Sequence, residues 1–277
     1  MSWRVPLGTG IEALLDWCST HFAFATKAFS VVAGHGLALL ERGLLWLPPW
    51  AFLLLAVAGI WRLTRRPRLA LVSAAGLGLI WNLGLWSAMV STLALVSVAT
   101  CLAIGLGIPL GIAAAMSRAA NKTIMPVLDM MQTMPAFVYL IPAIPFFGLG
   151  KVAAIFSTVI FSMPPAIRLT CLGITQTPRE LVECAEAFGS SRWQKLVKLQ
   201  LPLAAPTIMA GVNQTVMLAL SMVVIAAMIG AKGLGGEVWK AIQRLEMGSG
   251  FEAGICIVVV AVILDRILQR VGRSTQA

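Results

Sequence analysis

Long apolar runs separated by short polar stretches set the pattern of this chain. Seven runs read as membrane spans, at about 44–61, 69–86, 89–116, 124–148, 152–173, 204–230 and 251–268. Eighteen helical residues reach about 27 Å, close to a hydrocarbon core of about 30 Å. The third run is longer and predicts a tilted helix. Pro135, Pro142 and Pro145 break the fourth, and Pro164 and Pro165 the fifth. Carbonyls freed there need protein or a water-filled cavity around them. Before residue 44 the pattern is mixed, because Glu12, Asp16, Lys27 and Glu41 interrupt it. Ile11, Leu14, Leu15 and Cys18 share one helical face, and Phe22, Ala25, Phe29 and Val32 another. That spacing predicts an amphipathic region over 1–43, lying along a membrane surface or packed against the spans.

Composition supports an integral membrane protein. With 59% hydrophobic and 12% charged residues and a mean hydropathy of +0.89, the chain cannot cover itself with a polar shell. Its net charge of +10 follows from topology, since cytoplasmic loops collect Lys and Arg. No basic run interleaved with aromatics points to nucleic acid. With loops 62–68, 117–123 and 174–203 and the C-terminus in the cytoplasm, fourteen of the 21 Lys and Arg fall inside and seven outside. This puts the N-terminus outside. No basic stretch followed by a short apolar one marks a cleaved signal peptide.

Candidate chemistry is sparse. The five cysteines form no C-x-x-C pair, and three lie in apolar runs, as small buried hydrophobes do. His21 and His35 both precede the first run, leaving no core Ser–His dyad or metal site. Asp129 and Asp265, near helix ends, do not make a protease pair. There is no G-x-x-x-x-G-K-[ST], so no catalytic residue, metal or nucleotide is expected on this chain; Gly233-x-Gly235-Gly236 follows no strand.

The most organised polar segment is 177–202. Thr177 reads as an N-cap, Pro178 as the first helical residue and Glu180 as the third member of a capping box. Gly189 reads as a left-handed stop. Ser191 and Gln194 begin a second short helix, which Pro202 ends. On the first helix Leu181, Cys184, Ala185 and Phe188 form an apolar face flanked by Glu183 and Glu186, suited to a groove on another protein. Covering the chain's own helix ends is the alternative use of such a face.

This segment resembles the EAA loop of ABC-type importer permeases, whose pattern is E-A-A-x-x-x-G, nine residues, then I-x-L-P. The chain has Glu183-Cys184-Ala185, Gly189 and Leu199-x-Leu201-Pro202 in register, with Cys for the second Ala and Leu for Ile. The resemblance spans roughly 87–270. It is strongest to the permeases for glycine betaine, proline betaine and choline, as in Leu201 to Thr215, Leu218 to Ala226 and Gly233-Leu234-Gly235. It implies an all-α membrane protein with about seven spans. An amphipathic region (1–43) and two additional helices (44–86) precede a five-helix type I importer core (87–270), followed by a cytoplasmic tail (271–277).

The resemblance further implies a permease subunit of the bacterial inner membrane that carries a quaternary ammonium solute by alternating access. The expected partners are a second copy of the permease, an ABC ATPase dimer that binds ATP and Mg, and a separate solute-binding protein. Glu183, Cys184, Ala185, Phe188, Gly189, Leu201 and Pro202 would couple to the ATPase.

Candidate path residues come from spacing. Asn213, Met217, Ser221 and Met228 recur on one face of the sixth run, and Met163 and Pro164 sit where the fifth is expected to break. Interhelical hydrogen bonding is the alternative for the stripe. Asp129, Gln132 and Thr133 share a face near Arg168, either pairing with it or with Asp129 solvated, the reading preferred on residues alone. Gly107-x-x-x-Gly111 predicts close helix packing, with a dimer seam as the candidate place for it. A permease for an unrelated small polar solute and an ion-gradient transporter are the alternatives. The second finds little support, since Asp129 is the only carboxylate between residues 42 and 179.

Overall fold

A computed structural model describes residues 7–21 and 23–274. Phe22, Arg4 and the last three residues of the expected tail lie outside the described residues, as do the side chains of Ala25 and Arg273. Among the described residues there are helices and no strands. They are α1 (Leu7–His21), α2 (Ala23–Trp46), α3 (Pro49–Thr64), α4 (Pro67–Asn82), α5 (Trp86–Met116) and α6 (Arg118–Thr133). A 3-10 turn, Ala136–Tyr139, leads into α7 (Leu140–Phe147) and α8 (Lys151–Thr175). Then come α9 (Arg179–Ala187), α10 (Arg192–Lys195), a π-turn Leu196–Gln200 that enters α11 (Leu201–Ala227), α12 (Leu234–Arg244) and α13 (Met247–Ser274).

The boundaries follow local chemistry. Pro49 and Pro67 open α3 and α4, where a missing N–H costs nothing. Arg65 turns into the left-handed region to close α3, donating its N–H to the Trp61 carbonyl at 2.7 Å. The Ser117 hydroxyl accepts the Ala120 N–H and caps α6.

At the centre α5, α8 and α11 pack on one another through small residues. Ala94, Ala99 and Ala103 meet Ala153, Ala154 and Ile155, with Met222 and Ala226 from α11. Gly107 and Gly111 lie in this α5–α8 contact. A Cβ at Gly107 would sit 2.8 Å from Cβ of Ala166, and one at Gly111 2.6 Å from the Ile167 carbonyl oxygen. The close packing predicted for this pair is therefore made within the chain. A second cluster joins α4 (Leu77, Ile80), α11 (Val216, Ala219, Leu220) and α13 (Cys256, Val260). Cys171 and Cys256 are buried as expected, whereas Cys101 and Cys184 are exposed.

Among the described residues five helices are long and apolar enough to cross a membrane, and six if the bent pair at α6 and α7 is one span. Seven were expected, and the difference has local causes. The run at 44–61 is cut by Pro48 and Pro49, leaving α3 with 16 residues, about 24 Å of helix. α4 also has 16 residues. Conversely, 26–46 in α2 forms a span-length apolar helix where interfacial helix was expected. Glu41, read as an interruption, is neutralised there. It pairs with Lys151 at 2.5 Å and accepts the Ser91 hydroxyl at 2.6 Å.

The prolines also divide. At Pro135 the chain turns by 114° between α6 and the following helix, as the sequence predicts. At Pro164 and Pro165 α8 runs on without a break, which corrects the expected interruption. Both rings are buried and packed in the bundle, and neighbouring helices hold the backbone in place.

Candidate functional site

α9 stands away from the bundle. None of its residues is buried, and Phe188 just beyond it is 86% exposed. Leu181 and Cys184 are also exposed. The apolar face therefore does not cover the chain's own helix ends. Its position is nevertheless well defined. Gly189 adopts φ +75°, the Ser190 N–H reaches the Ala185 carbonyl at 3.0 Å, and the Gly189 N–H reaches that of Glu186 at 2.9 Å. This pair of bonds is a Schellman closure, which needs a residue that tolerates the left-handed region. Lys195 pairs with Glu186 across the turn.

The start of α9 differs from expectation. Thr177 is buried, and its hydroxyl donates to the Ile174 carbonyl at 2.9 Å, finishing α8 rather than capping α9. Pro178 occupies the cap position and no side chain bonds to the first turn, so the Thr177–Glu180 box does not form. At Ser191 the box does form: the Ser191 hydroxyl accepts the Gln194 N–H and the Gln194 side chain accepts the Ser191 N–H.

Pro202 does not end the second helix, as it was expected to. It lies in the first turn of α11, and the turn before it widens to a π-turn, with the Leu201 N–H donating to the Leu196 carbonyl. Widening the ladder absorbs the donor that proline lacks and relieves its clash with the preceding turn. The outcome is one continuous rod from Arg192 to Ala227, 36 residues or about 54 Å. α9 is thus joined by a tight turn to a rod crossing the whole bundle. Trp193, 67% exposed at the start of this rod, is a second bare apolar side chain in the loop and was not singled out from sequence. Its signal was an aromatic on an otherwise polar first turn.

The predicted path residues do not converge on one cavity. Met163 lies in the α5–α8 contact, where its side chain comes within 3.5 Å of a Cβ at Gly107, and Pro164 is buried on α8. Asn213 donates to Asp265 at 2.9 Å and ties α11 to α13. Met217 packs against the second core cluster. Ser221 and Met228 are exposed. They belong to an uncovered line along α11 that also includes Leu203, Ala210 and Gln214. The spacing of this line, seven, four, seven and seven residues, repeats one side of a helix. Gln214 is its second polar member and was missed because its apolar neighbours outnumber it. Arg168 meets Asp129 at 2.5 Å, joining α6 to α8. The pair forms while the Asp129 side chain stays 65% exposed, so Asp129 is paired and also open to solvent.

Residues 107–276 match the family model described as "Binding-protein-dependent transport system inner membrane component". The chain belongs to this family. Over 280 residues it is 46% identical to the glycine betaine/carnitine transport permease protein GbuB of Listeria monocytogenes, covering 99% of this chain and 98% of that one. It is also 46% identical to the glycine betaine/proline betaine permease ProW of Escherichia coli, across 99% of this chain and 77% of the relative. Its fold is similar to chains of the methionine ABC transporter MetNI in inward-facing conformations, with a TM-score of 0.62 at 21% identity over 69% of this chain.

The chain is therefore a multi-pass inner-membrane transport permease with an importer fold. The family match includes α9, the rod through α11 and every candidate site residue named above.

Proposed function

We propose that this permease carries glycine betaine or proline betaine into the cell, driven by ATP hydrolysis on a separate ABC ATPase that seats α9 in a groove. The near-full-length likeness to permeases named for these solutes carries the reading of the cargo. The exposure of α9, with its flanking carboxylates and tight closure at Gly189, supports the reading of the coupling. Glu183, Cys184, Ala185, Phe188 and Gly189 form the docking element, and Leu201 and Pro202 the joint through which its displacement enters the rod. ATP and Mg bind the partner, and this chain performs no chemistry.

Two copies of the permease enclose the path, with the uncovered line of α11 facing it. A quaternary ammonium group cannot accept a hydrogen bond at nitrogen, so soft walls such as Met228, with hydroxyl and amide dipoles from Ser221 and Gln214, suffice for passage. Tight recognition belongs to an external binding protein, where aromatic faces can surround the cation. α9 faces the cytoplasm and the N-terminus lies outside.

The test is reconstitution of the permease with its ATPase and binding protein in liposomes. Uptake of labelled glycine betaine, proline betaine and choline is compared with and without internal ATP. Uptake of a betaine that requires ATP and resists ionophores is expected. Uptake that follows an ion gradient without ATP would overturn the assignment.

A further inference from the structure

Two neighbouring concavities, neither lined by the exposed residues of α11, remain unused by the transport reading. One is a groove of about 270 Å³ with almost wholly apolar walls, running between α3 and α13 and lined by Phe52, Gly59, Leu63, Ile263 and Ile267 among others. The second is a polar pocket of about 110 Å³ lined by Thr64, Arg66, Leu69, Arg266, Gln269 and Arg270. They share their walls. Leu63 lines the groove and the next residue, Thr64, the pocket; Arg266 lines the pocket and the next, Ile267, the groove.

The charge here is one-sided. Three guanidinium groups from two separate elements converge on the pocket, and no carboxylate lines it. None of Arg62, Arg65, Arg66, Arg68, Arg266 and Arg270 takes part in an ion pair among the described residues. The nearest acid in sequence, Asp265, accepts bonds from Asn213 and Gln269 instead. Leu69 lies in the first turn of the 16-residue α4, whose amides have no helical carbonyl to bond and whose dipole favours an anion. Positive charge gathered at a helix end for topology alone needs neither a concave pocket nor an apolar groove opening into it.

We propose that groove and pocket together bind one anionic phospholipid, with its phosphate among Arg66, Arg266 and Arg270 and an acyl chain between α3 and α13. Assigning it to the cytoplasmic leaflet rests on the orientation given under Proposed function; the binding itself does not. A free phosphate would use the pocket and leave the groove empty. A zwitterionic lipid would fill the groove but carry its own cation towards the arginines. An anionic headgroup on an acyl chain uses both.

The experiment is native mass spectrometry of the full-length permease in detergent, titrated with phosphatidylglycerol or phosphatidylcholine of identical acyl chains. Juxtamembrane basic residues contribute roughly fivefold each to anionic-lipid binding. The triple variant Arg66→Gln, Arg266→Gln, Arg270→Gln should therefore weaken phosphatidylglycerol binding on the order of a hundredfold, and the matching triple Lys variant by only a few-fold. Gly59→Phe tests the groove separately. Gly59 lines the groove and a Cβ there meets nothing within 4 Å, so the new side chain starts from open space on the groove wall. It should weaken phosphatidylglycerol binding while leaving the melting temperature of the lipid-free protein unchanged.

Equal binding of the two lipids would overturn the proposal. So would displacement of phosphatidylglycerol by millimolar inorganic phosphate, which would mark a free-anion site, or full retention of binding in Gly59→Phe. Betaine uptake is not read in this experiment, so its outcome is independent of the transport assignment.

Discussion

Gly189 concentrates the demands of the coupling loop on one backbone angle. At φ +75° a β-branched residue is strongly disfavoured, by about 1–2 kcal/mol or more. Nothing lies within 4 Å of a Cβ there, so the cost is purely conformational. Gly189→Val should swing α9 away from its closure, and ATP-driven betaine uptake should fall at least tenfold in the reconstituted system. Gly189→Asn should keep most of the uptake, because Asn tolerates the left-handed region. Equal loss in both variants would mean that side-chain size at this position, rather than backbone angle, governs coupling. The left-handed stop was legible in the sequence because a glycine between an apolar-faced helix and the Ser191–Gln194 capping box has few other uses. The role of Thr177 was not. A threonine before Pro178 can cap forward or bond backward, and only the burial of its hydroxyl at the end of α8 decides between them.

Among the elements, the α5–α8 contact and the α11 rod make separate predictions. Gly111 faces the Ile167 carbonyl and the Cβ of β-branched Thr170, neither of which can swing aside, so Gly111→Leu forces the helices apart and should cost about 1–3 kcal/mol. The melting temperature in detergent should drop by several degrees. Gly105→Leu, six residues earlier in open space, should leave it unchanged. On the rod, Ser221 is exposed and its hydroxyl returns only to the Met217 carbonyl. Ser221→Trp should therefore leave folding intact and obstruct the proposed path. Betaine uptake should be lost, while the purified complex keeps its ATPase subunits. Normal uptake would place the path elsewhere.

Periodicity located α5, α8, α11 and α13 to within a few residues, because long apolar helices carry the strongest signal. It misjudged α2 and the helix after Ser191. Glu41 looks incompatible with a span until Lys151, 110 positions away, neutralises it. Pro202 looks like a stop until a π-turn accommodates it. Both were decided by partners or backbone adjustments that composition does not record.

For the whole molecule, the governing quantity is the side of the membrane on which α9 lies, since a cytoplasmic motor can only grip a cytoplasmic helix. The charge asymmetry of fourteen basic residues against seven is a statistical argument, and a native thiol permits a direct one. Cys184 is exposed on α9, beside the carboxylates proposed to meet the ATPase. Of the other four cysteines, Cys101 is exposed, Cys18 partly buried, and Cys171 and Cys256 buried. Replacing these four with Ala leaves Cys184 as the sole thiol. A membrane-impermeant maleimide should then label inside-out vesicles and spare right-side-out cells.

Adding the ATPase should protect Cys184 in the inside-out vesicles, and Phe188→Glu, which puts charge on the exposed apolar face, should abolish that protection. Labelling from outside would invert the topology and remove the ATPase from the mechanism. Cytoplasmic labelling without protection would keep the topology but move the docking surface off α9. The topology inferred from loop charge and the docking inferred from side-chain exposure are thus separable at a single sulfur.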